Sequence, residues 1–445
     1  MVLAHAGRVL AALVAVAAAV PACLAGEVDV GTIEGLQEAL SSAAPGTTIR
    51  LASGEYELSG PLVIPDHVAV TGSGHLVLGD DGRARGWQDD RESTLRVRGA
   101  WSGNAVELGH GSVLRHLRVL DEGASEGGAV GQGGAPNLVV VASRRPGDRV
   151  EASIVECEIS TQQTFGIGGE PGPLARAVGV WTRHPGAGGS PGVGASVSLT
   201  IERSIIRAPR SNALFVINFA PRGQARLDVR DSRLEGVLSA GGGTSLADHV
   251  TDAVTTIRSR NNEYVMVGGF DRFGWHLFGG SGVPHPQRTT PPGADDNRLR
   301  MQSEGDRIEG YRTGIYAAAG RRIGKLSGPS SGNRLELETS DLVIVTEGEQ
   351  AADVMWFGAL AEPFRGSDER LPPGDGNVMT VRMTGTIGSG PRANDFADLN
   401  GPAGPEHDGG NRLVVEGSPE AFLRENHHLQ PAPGAAFFRA GSDPN

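Results

Sequence analysis

The feature that most constrains this chain is a short phrase that returns. It reads Asp296-Asn297-Arg298-Leu299, then Gly332-Asn333-Arg334-Leu335, then Gly410-Asn411-Arg412-Leu413, and with one replacement Gly376-Asn377-Val378-Met379. Successive asparagines lie 36, 44 and 34 residues apart. Gly, Asp and Asn tolerate turn backbone, and the residues that follow alternate apolar and polar at period two, so each copy launches a strand from a turn. A constant launch with unequal spacing predicts one structural rung, repeated, with connecting loops of different length.

If each copy starts the same strand in successive coils, Leu299, Leu335, Met379 and Leu413 stack inward and Arg298, Arg334, Val378 and Arg412 point outward. The asparagines are then placed to form an internal ladder that satisfies buried turn backbone. Arg298 over Arg334 sets like charges on neighbouring strands, which calls for intervening acids or a bound polyanion. Arg300 facing Glu336 offers local neutralisation. Further strand-like runs fill the body, among them "SIVECEIS", "LTIERSIIRA" and "LDVRDSRLEG". Ile201, Val229 and Ile257 fall at equal steps of 28, and Met301 and Leu337 follow after 44 and 36. This predicts a rung of about 25 residues with surface insertions, the largest at 167–195, 266–296, 346–376 and 388–410, all rich in Gly and Pro.

Composition agrees. With 67 Gly and 27 Pro in 445 residues, 5% aromatic and 21% charged, long amphipathic helices are excluded, and a solenoid keeps such a length in one domain because its core grows by stacking. The net charge of −12 argues against a general nucleic-acid binder or a membrane-surface protein, though a local basic site stays open. Lys325 is the sole lysine.

Residues 1–26 carry Arg8, an apolar run from Val9 to Val20, then small residues: a secretory signal peptide, too short for a membrane span. Two outcomes stand. Cleavage after Ala25 releases a secreted or periplasmic protein; a lipoprotein signal anchors it by acylation of Cys23. In the first case Cys157 is the single cysteine, read as a small buried hydrophobe. No other stretch is apolar and long enough to span a bilayer.

From residue 27 the mature chain reads as a single domain. Ile33, Leu36 and Leu40 follow helical spacing, and Ala44-Pro45-Gly46 ends that helix before the short strands "TTIRLA", "GEYEL", "PLVIP" and "HVAVTG". One amphipathic helix before the first strand is what an open solenoid end needs as a cap. The helix, the "APGTTIRLASGEYEL" run and the "HVAVTGSG" after it resemble the opening of secreted right-handed parallel β-helix proteins of the pectin-lyase-like superfamily. The resemblance implies an all-β, right-handed parallel β-helix and, as a class, action on or binding of an extracellular acidic polysaccharide by lyase-like or hydrolase-like chemistry. The alternative is a non-catalytic binding or scaffold solenoid.

A lyase needs a base and a cation beside the uronate carboxylate. Lys325 is the one lysine that could serve. Calcium would need converging carboxylates; Asp80-Asp81, Asp89-Asp90 and Asp295-Asp296 supply pairs without the spacing of a known calcium loop, and no cofactor is fixed by the sequence. Against the polygalacturonases, the chain holds Gln88-Asp89-Asp90 and Gly109-His110-Gly111 but lacks the upstream Asn-Thr-Asp, and its nearest basic motif, Arg322-Ile323-Gly324-Lys325, carries an extra Gly.

All five Trp residues fall in or beside predicted loops. In "VGGFDRFGWHLFGG", Phe270, Phe273, Trp275 and Phe278 surround Asp271, Arg272 and His276. Sugars stack on aromatic faces, so Asp271, Arg272 and His276 are the candidate catalytic set, with Phe273, Trp275, Arg298 and Arg334 as candidate substrate-binding residues. The competing possibility is a loop pinned by its own hydrophobic cluster.

Overall fold

The computed structural model describes residues 26–88, 92–98, 103–121, 137–162, 176–183, 193–245, 249–266, 273–282, 293–322, 328, 330–346, 355–361, 374–389 and 412–416. Alternating apolar residues in short parallel strands leave one side of each strand needing a core, and the chain supplies it by winding. Each coil contributes a strand to a first, a second and a third face. The first-face sheet holds twelve strands in chain order, from Glu27–Val30 and Thr48–Leu51 to Val378–Thr384 and Arg412–Glu416. The other two faces are joined where the long strands Ile205–Ile217 and Arg233–Ser245 run through the corner between them. All these pairings are parallel, and one continuous apolar cluster runs through the interior from Val30 to Val381. The chain is a right-handed parallel β-helix, the hand general to parallel crossovers.

The returning phrase now has a structural cause. Asp252, Asp296, Gly332 and Gly376 sit in the left-handed region, with φ of 55°, 56°, 65° and 67°, two residues before first-face strands. Asp and Gly accept that backbone most readily. After Asp296, Gly332 and Gly376 the next residue is the buried asparagine; after Asp252 it is Ala253, whose N–H donates to Asn297 Oδ1. Asn333 Oδ1 accepts from Asn297 N–H at 3.0 Å, Asn377 Oδ1 accepts from Asn333 N–H at 3.1 Å, and the side-chain amides bond along the same column. Register follows the expectation: Arg298 pairs Arg334, Leu299 pairs Leu335, Leu335 pairs Met379, and Arg300 pairs Glu336. One spacing differs. Ile201 stacks on Val229, but Val229 stacks on Ser259 and Ile257 on Leu227, because that coil is two residues longer than 28.

The corner between first and second faces repeats the device. Glu156, Arg203, Asp231, Asn261 and Asp341 adopt positive φ directly after first-face strands. The inward residues that follow form a polar column: Ser204 Oγ accepts from Cys157 N–H, Ser232 Oγ from Ser204 N–H, Asn262 Oδ1 from Ser232 N–H and Asp306 Oδ1 from Asn262 N–H. Burial pushes the Asp306 carboxyl up to about 6 and the Cys157 thiol up to about 12, so Cys157 is the inert buried residue expected.

Residues Ile33–Ser42 form the one helix among the described residues, started by Thr32, whose Oγ1 accepts from Gly35 N–H at 3.1 Å. Leu36 and Leu40 are buried in the cluster that holds Ile49 and Ile64. The helix is preceded by the strand Glu27–Val30, which pairs with Thr48–Leu51.

Three predicted insertions contain strands. Arg176–Trp181, Phe273–Gly282 and Met355–Ala361 are third-face strands lying within 167–195, 266–296 and 346–376. The glycines that suggested loops serve packing: a Cβ on Gly243 would meet Asn297 at 2.3 Å and one on Gly280 would meet Asn333 at 2.2 Å, so the asparagine ladder requires a bare third-face backbone beside it. Most of 388–410, Lys325 and residues 1–25, with Cys23, lie outside the described residues. No described helix is long and apolar enough to cross a membrane.

Candidate functional site

The predicted site residues divide between two faces. Asp271, Arg272 and Phe270 lie outside the described residues, as do Asp89 and Asp90. Phe273, His276 and Phe278 lie on the third face, whose outward column runs Ser239, His276, Tyr316 by register. The Phe273 ring stacks on His276 at 4.9 Å with an interplanar angle of 5°, Phe278 meets His276 edge-on at 4.5 Å, and Tyr316 closes the group at 5.6 Å. Burial, together with the Arg321 charge, holds the imidazole well below its ordinary range, so His276 is neutral near pH 7. Arg321 lies over Phe278 at 4.2 Å.

Trp275 requires a correction. It is the inward neighbour of His276, 0% exposed and edge-on to Tyr264 at 5.5 Å, so it packs the solenoid core and offers no face to a sugar. Period two decides this: in a strand, 275 and 276 point to opposite sides. Trp181 is likewise buried, in a third-face strand against Phe215 and Phe219.

Arg298 and Arg334 belong to the first face, and there the structure assembles a different surface. The five strands Gln224–Arg230, Val254–Arg260, Arg298–Glu304, Arg334–Ser340 and Val378–Thr384 lie side by side. They carry eight arginines (226, 230, 258, 260, 298, 300, 334, 382) against four acids (Asp228, Glu304, Glu336, Glu338), a net +4 on one face of a chain whose total is −12. The acids are shared out. Glu336 lies 3.6 Å from Arg298 and 3.8 Å from Arg300, Glu304 3.2 Å from Arg260, and Asp228 3.7 Å from Arg226. Arg258 and Arg334 are exposed and have no acid within ion-pairing distance among the described residues. A groove of about 540 Å³ runs over this surface, lined by Arg230, Arg258, Arg260, Gln302, Glu338 and Arg382 among others.

Sequence reasoning named Arg298 and Arg334 for binding, set Arg300 against Glu336, and did not single out the other five. Their signal was present: in "ARLDVR" every second residue is apolar, in "TTIRSR" Ile257 stands between the small polar Thr255 and Ser259, and in both the alternates include Arg. What the spacing did not give was that these strands are adjacent and that Val229 and Ile257 are offset by two, which aligns Arg230 with Arg260 and then Glu304.

The remaining motifs fall elsewhere. Gly109-His110-Gly111 lies at the corner between third and first faces, where His110 N–H donates to Asp66 Oδ1 at 2.7 Å and Nδ1 accepts from Glu151 N–H at 3.3 Å; the imidazole is engaged by backbone. Asp80-Asp81 lies at the tip of a hairpin. Asp295 pairs with His249 at 3.1 Å, and burial raises its carboxyl. Among the described residues no three acid, His or Cys groups converge as metal ligands.

Three stacked parallel faces, left-handed corners and an asparagine ladder make a parallel β-helix, the fold that the resemblance of the sequence implies. No protein-family model matches the chain, and no curated protein matches it. Among solved structures it is similar to the Dettilon tailspike protein, at 12% identity over 90% of this chain and 64% of that one with a TM-score of 0.42. It is also similar to the polygalacturonase of Erwinia carotovora ssp. carotovora, at 11% identity over 94% and 96% with a TM-score of 0.40. A third likeness is to the PL6 family alginate lyase AlyGC, at 11% over 93% and 78% with a TM-score of 0.21. The chain thus spans 64% of the tailspike's length, and scores this low carry no argument about chemistry.

Proposed function

We propose that the protein is secreted or periplasmic and binds a linear acidic polysaccharide along the arginine surface of its first face. One observation carries the reading: a net +4 concentrated on five adjacent strands of a chain with net charge −12. A chain that is acidic overall gains no colloidal benefit from such a patch, and like charges on neighbouring strands cost stability unless something negative lies over them. Strands repeating every ~4.8 Å present the guanidinium groups as a rigid ladder. Planar forks on a ladder suit a polymer that offers carboxylates at regular intervals. The groove's acids are engaged by arginines or by Gln302, so binding rather than turnover is the activity the described residues support.

The test is titration of the mature protein with polygalacturonate, alginate, hyaluronate and neutral dextran at low and high salt, while unsaturated-uronate absorbance and reducing ends are followed. Acidic polymers should bind and neutral dextran should not, with affinity falling as salt rises. Equal affinity for dextran, or no binding to any acidic polymer by folded protein, sinks the reading. Growth of absorbance would add lyase activity to the same face.

A further inference from the structure

The antiparallel hairpin His75–Leu78/Ala84–Gln88 is the one antiparallel pair among the described residues, and its position has no role in building coils. It leaves the solenoid after the first-face strand Ala69–Thr71, yet its tip is fastened four, five and six first-face strands further along, roughly 19 to 29 Å at the usual rung spacing. Ala84 N–H donates to Asp231 O at 3.0 Å. Arg83 donates to Asn261 O and Oδ1, both at 3.0 Å, and to Gly305 O at 2.8 Å, while Asn261 Nδ2 returns a bond to Asp81 O. Arg85 bridges Asp81 and Glu263. At the root, Trp87 covers Gly74 so closely that a Cβ there would lie 2.0 Å from its ring.

The three backbone groups the arm grips belong to Asp231, Asn261 and Gly305. These follow directly on Arg230, Arg260 and Glu304, which line the groove. The arm therefore holds the left-handed corner at which three groove strands end. It also presents Val77 and Leu78, 47% and 43% exposed, as an apolar flank.

We propose that this hairpin is a positioning element of the arginine groove, fixing the corner that aims Arg230 and Arg260 and thereby raising affinity for the acidic polymer. The inference rests on the reading of the first face as a polyanion-binding surface. It assigns the arm no contact with the reacting or bound groups; it acts through the corner backbone.

The experiment excises residues 76–87 and joins His75 to Gln88, its strand partner, through an Asn-Gly turn. The excised segment contains Asp80, Asp81, Arg83 and Arg85, so the net charge is unchanged and electrostatic attraction at long range is preserved. Hydrogen exchange of residues 229–232, 259–262 and 303–306 and the Kd for polygalacturonate are read at fixed salt, well below the unfolding temperature. The expected result is faster exchange at the corner and roughly fivefold weaker binding with an unchanged salt slope, the size of a modest coupling between sites. Arg83→Gln should reproduce it in part without any deletion. A purely structural staple would change exchange or melting and leave Kd alone, and that result overturns the proposal. Absence of binding by the unmodified chain overturns the first-face reading, and this one with it.

Discussion

The first and third faces are built from the same kind of parallel strand, and they treat their outer sides in opposite ways. On the first face burial alternates strictly, as in Gln224–Arg230, with apolar residues inward and charged residues in water. Beyond the first coils the third face is buried on both sides: in Phe273–Gly282 eight of ten residues are buried, and Arg176–Trp181 is buried throughout. Parallel strands covered on both sides lose alternation. The face that displays chemistry is thus the one whose pattern could be read, and the face with the aromatic cluster is an interior in its own right. His276 and Tyr316 line that second interior, away from the arginine ladder.

The comparison breaks most severely at a third-face glycine. Gly280→Val drives a branched side chain into Asn333, which bonds to Asn297 and Asn377 and cannot yield without opening the ladder. A loss of about 3 kcal/mol is expected, the upper range of overpacking, read as a fall in denaturation midpoint; a loss under about 0.5 kcal/mol would show that the ladder adapts.

Next in size is a test of the polar column beneath the first face. Asp306 titrates at about 6 in the folded chain against an ordinary 3.8, because burial outweighs the bonds it accepts from Asn262 and Ser303. A raised carboxyl makes the folded state bind the proton more tightly. The contribution of this carboxyl to stability is therefore greatest below about pH 4, falls as pH rises to 6 and is level above. Asp306→Asn should stabilise by roughly 2–3 kcal/mol at pH 7.5 and by almost nothing at pH 4, since an amide can still accept from Asn262 and can donate to Ser303. Urea midpoints at the two pH values check this; equal effects at both would mean the carboxyl is not the source.

On the first face itself, Arg258→Glu should weaken binding of polygalacturonate about tenfold, ~1.4 kcal/mol, and move stability by less than about 0.5 kcal/mol, because Arg258 is exposed and unpaired among the described residues. The smallest effect belongs to Thr256→Val, an outward first-face position next to Ile257. It should leave both stability and binding within about 0.5 kcal/mol of the parent, whereas a valine at Gly280 does not. A large loss at Thr256 would erase the distinction between the faces.

Legibility tracked physics closely. The launch phrase was readable because three requirements fall on consecutive residues: a left-handed backbone at Asp296 or Gly332, an amide for the ladder at Asn297 or Asn333, and alternation from Arg298 or Arg334 onward. Arg298 over Arg334 followed from it. Trp275 was misplaced because "GFDRFGWHLFGG" has no alternation to say which aromatics face inward, and its glycines mimic a loop. The arginine surface was half seen. Its composition is local, but its charge is a sum over five strands separated by 30, 44, 36 and 44 residues, and that sum exists only once register is set.

By itself, then, the sequence determined that the chain coils: the period-two strands, the asparagine steps, the starting helix and the buried Cys157 all follow from nearest-neighbour chemistry. Only the tertiary structure decided what lies on which side. It sent Trp275 into the core, enclosed His276 among aromatic rings, gathered eight arginines on one face and fastened Arg83 to Asn261 and Gly305, 178 and 222 residues away. Local preferences act over a few residues, whereas a face is made by stacking coils whose lengths differ, and the alignment of those coils is settled by packing across the whole solenoid.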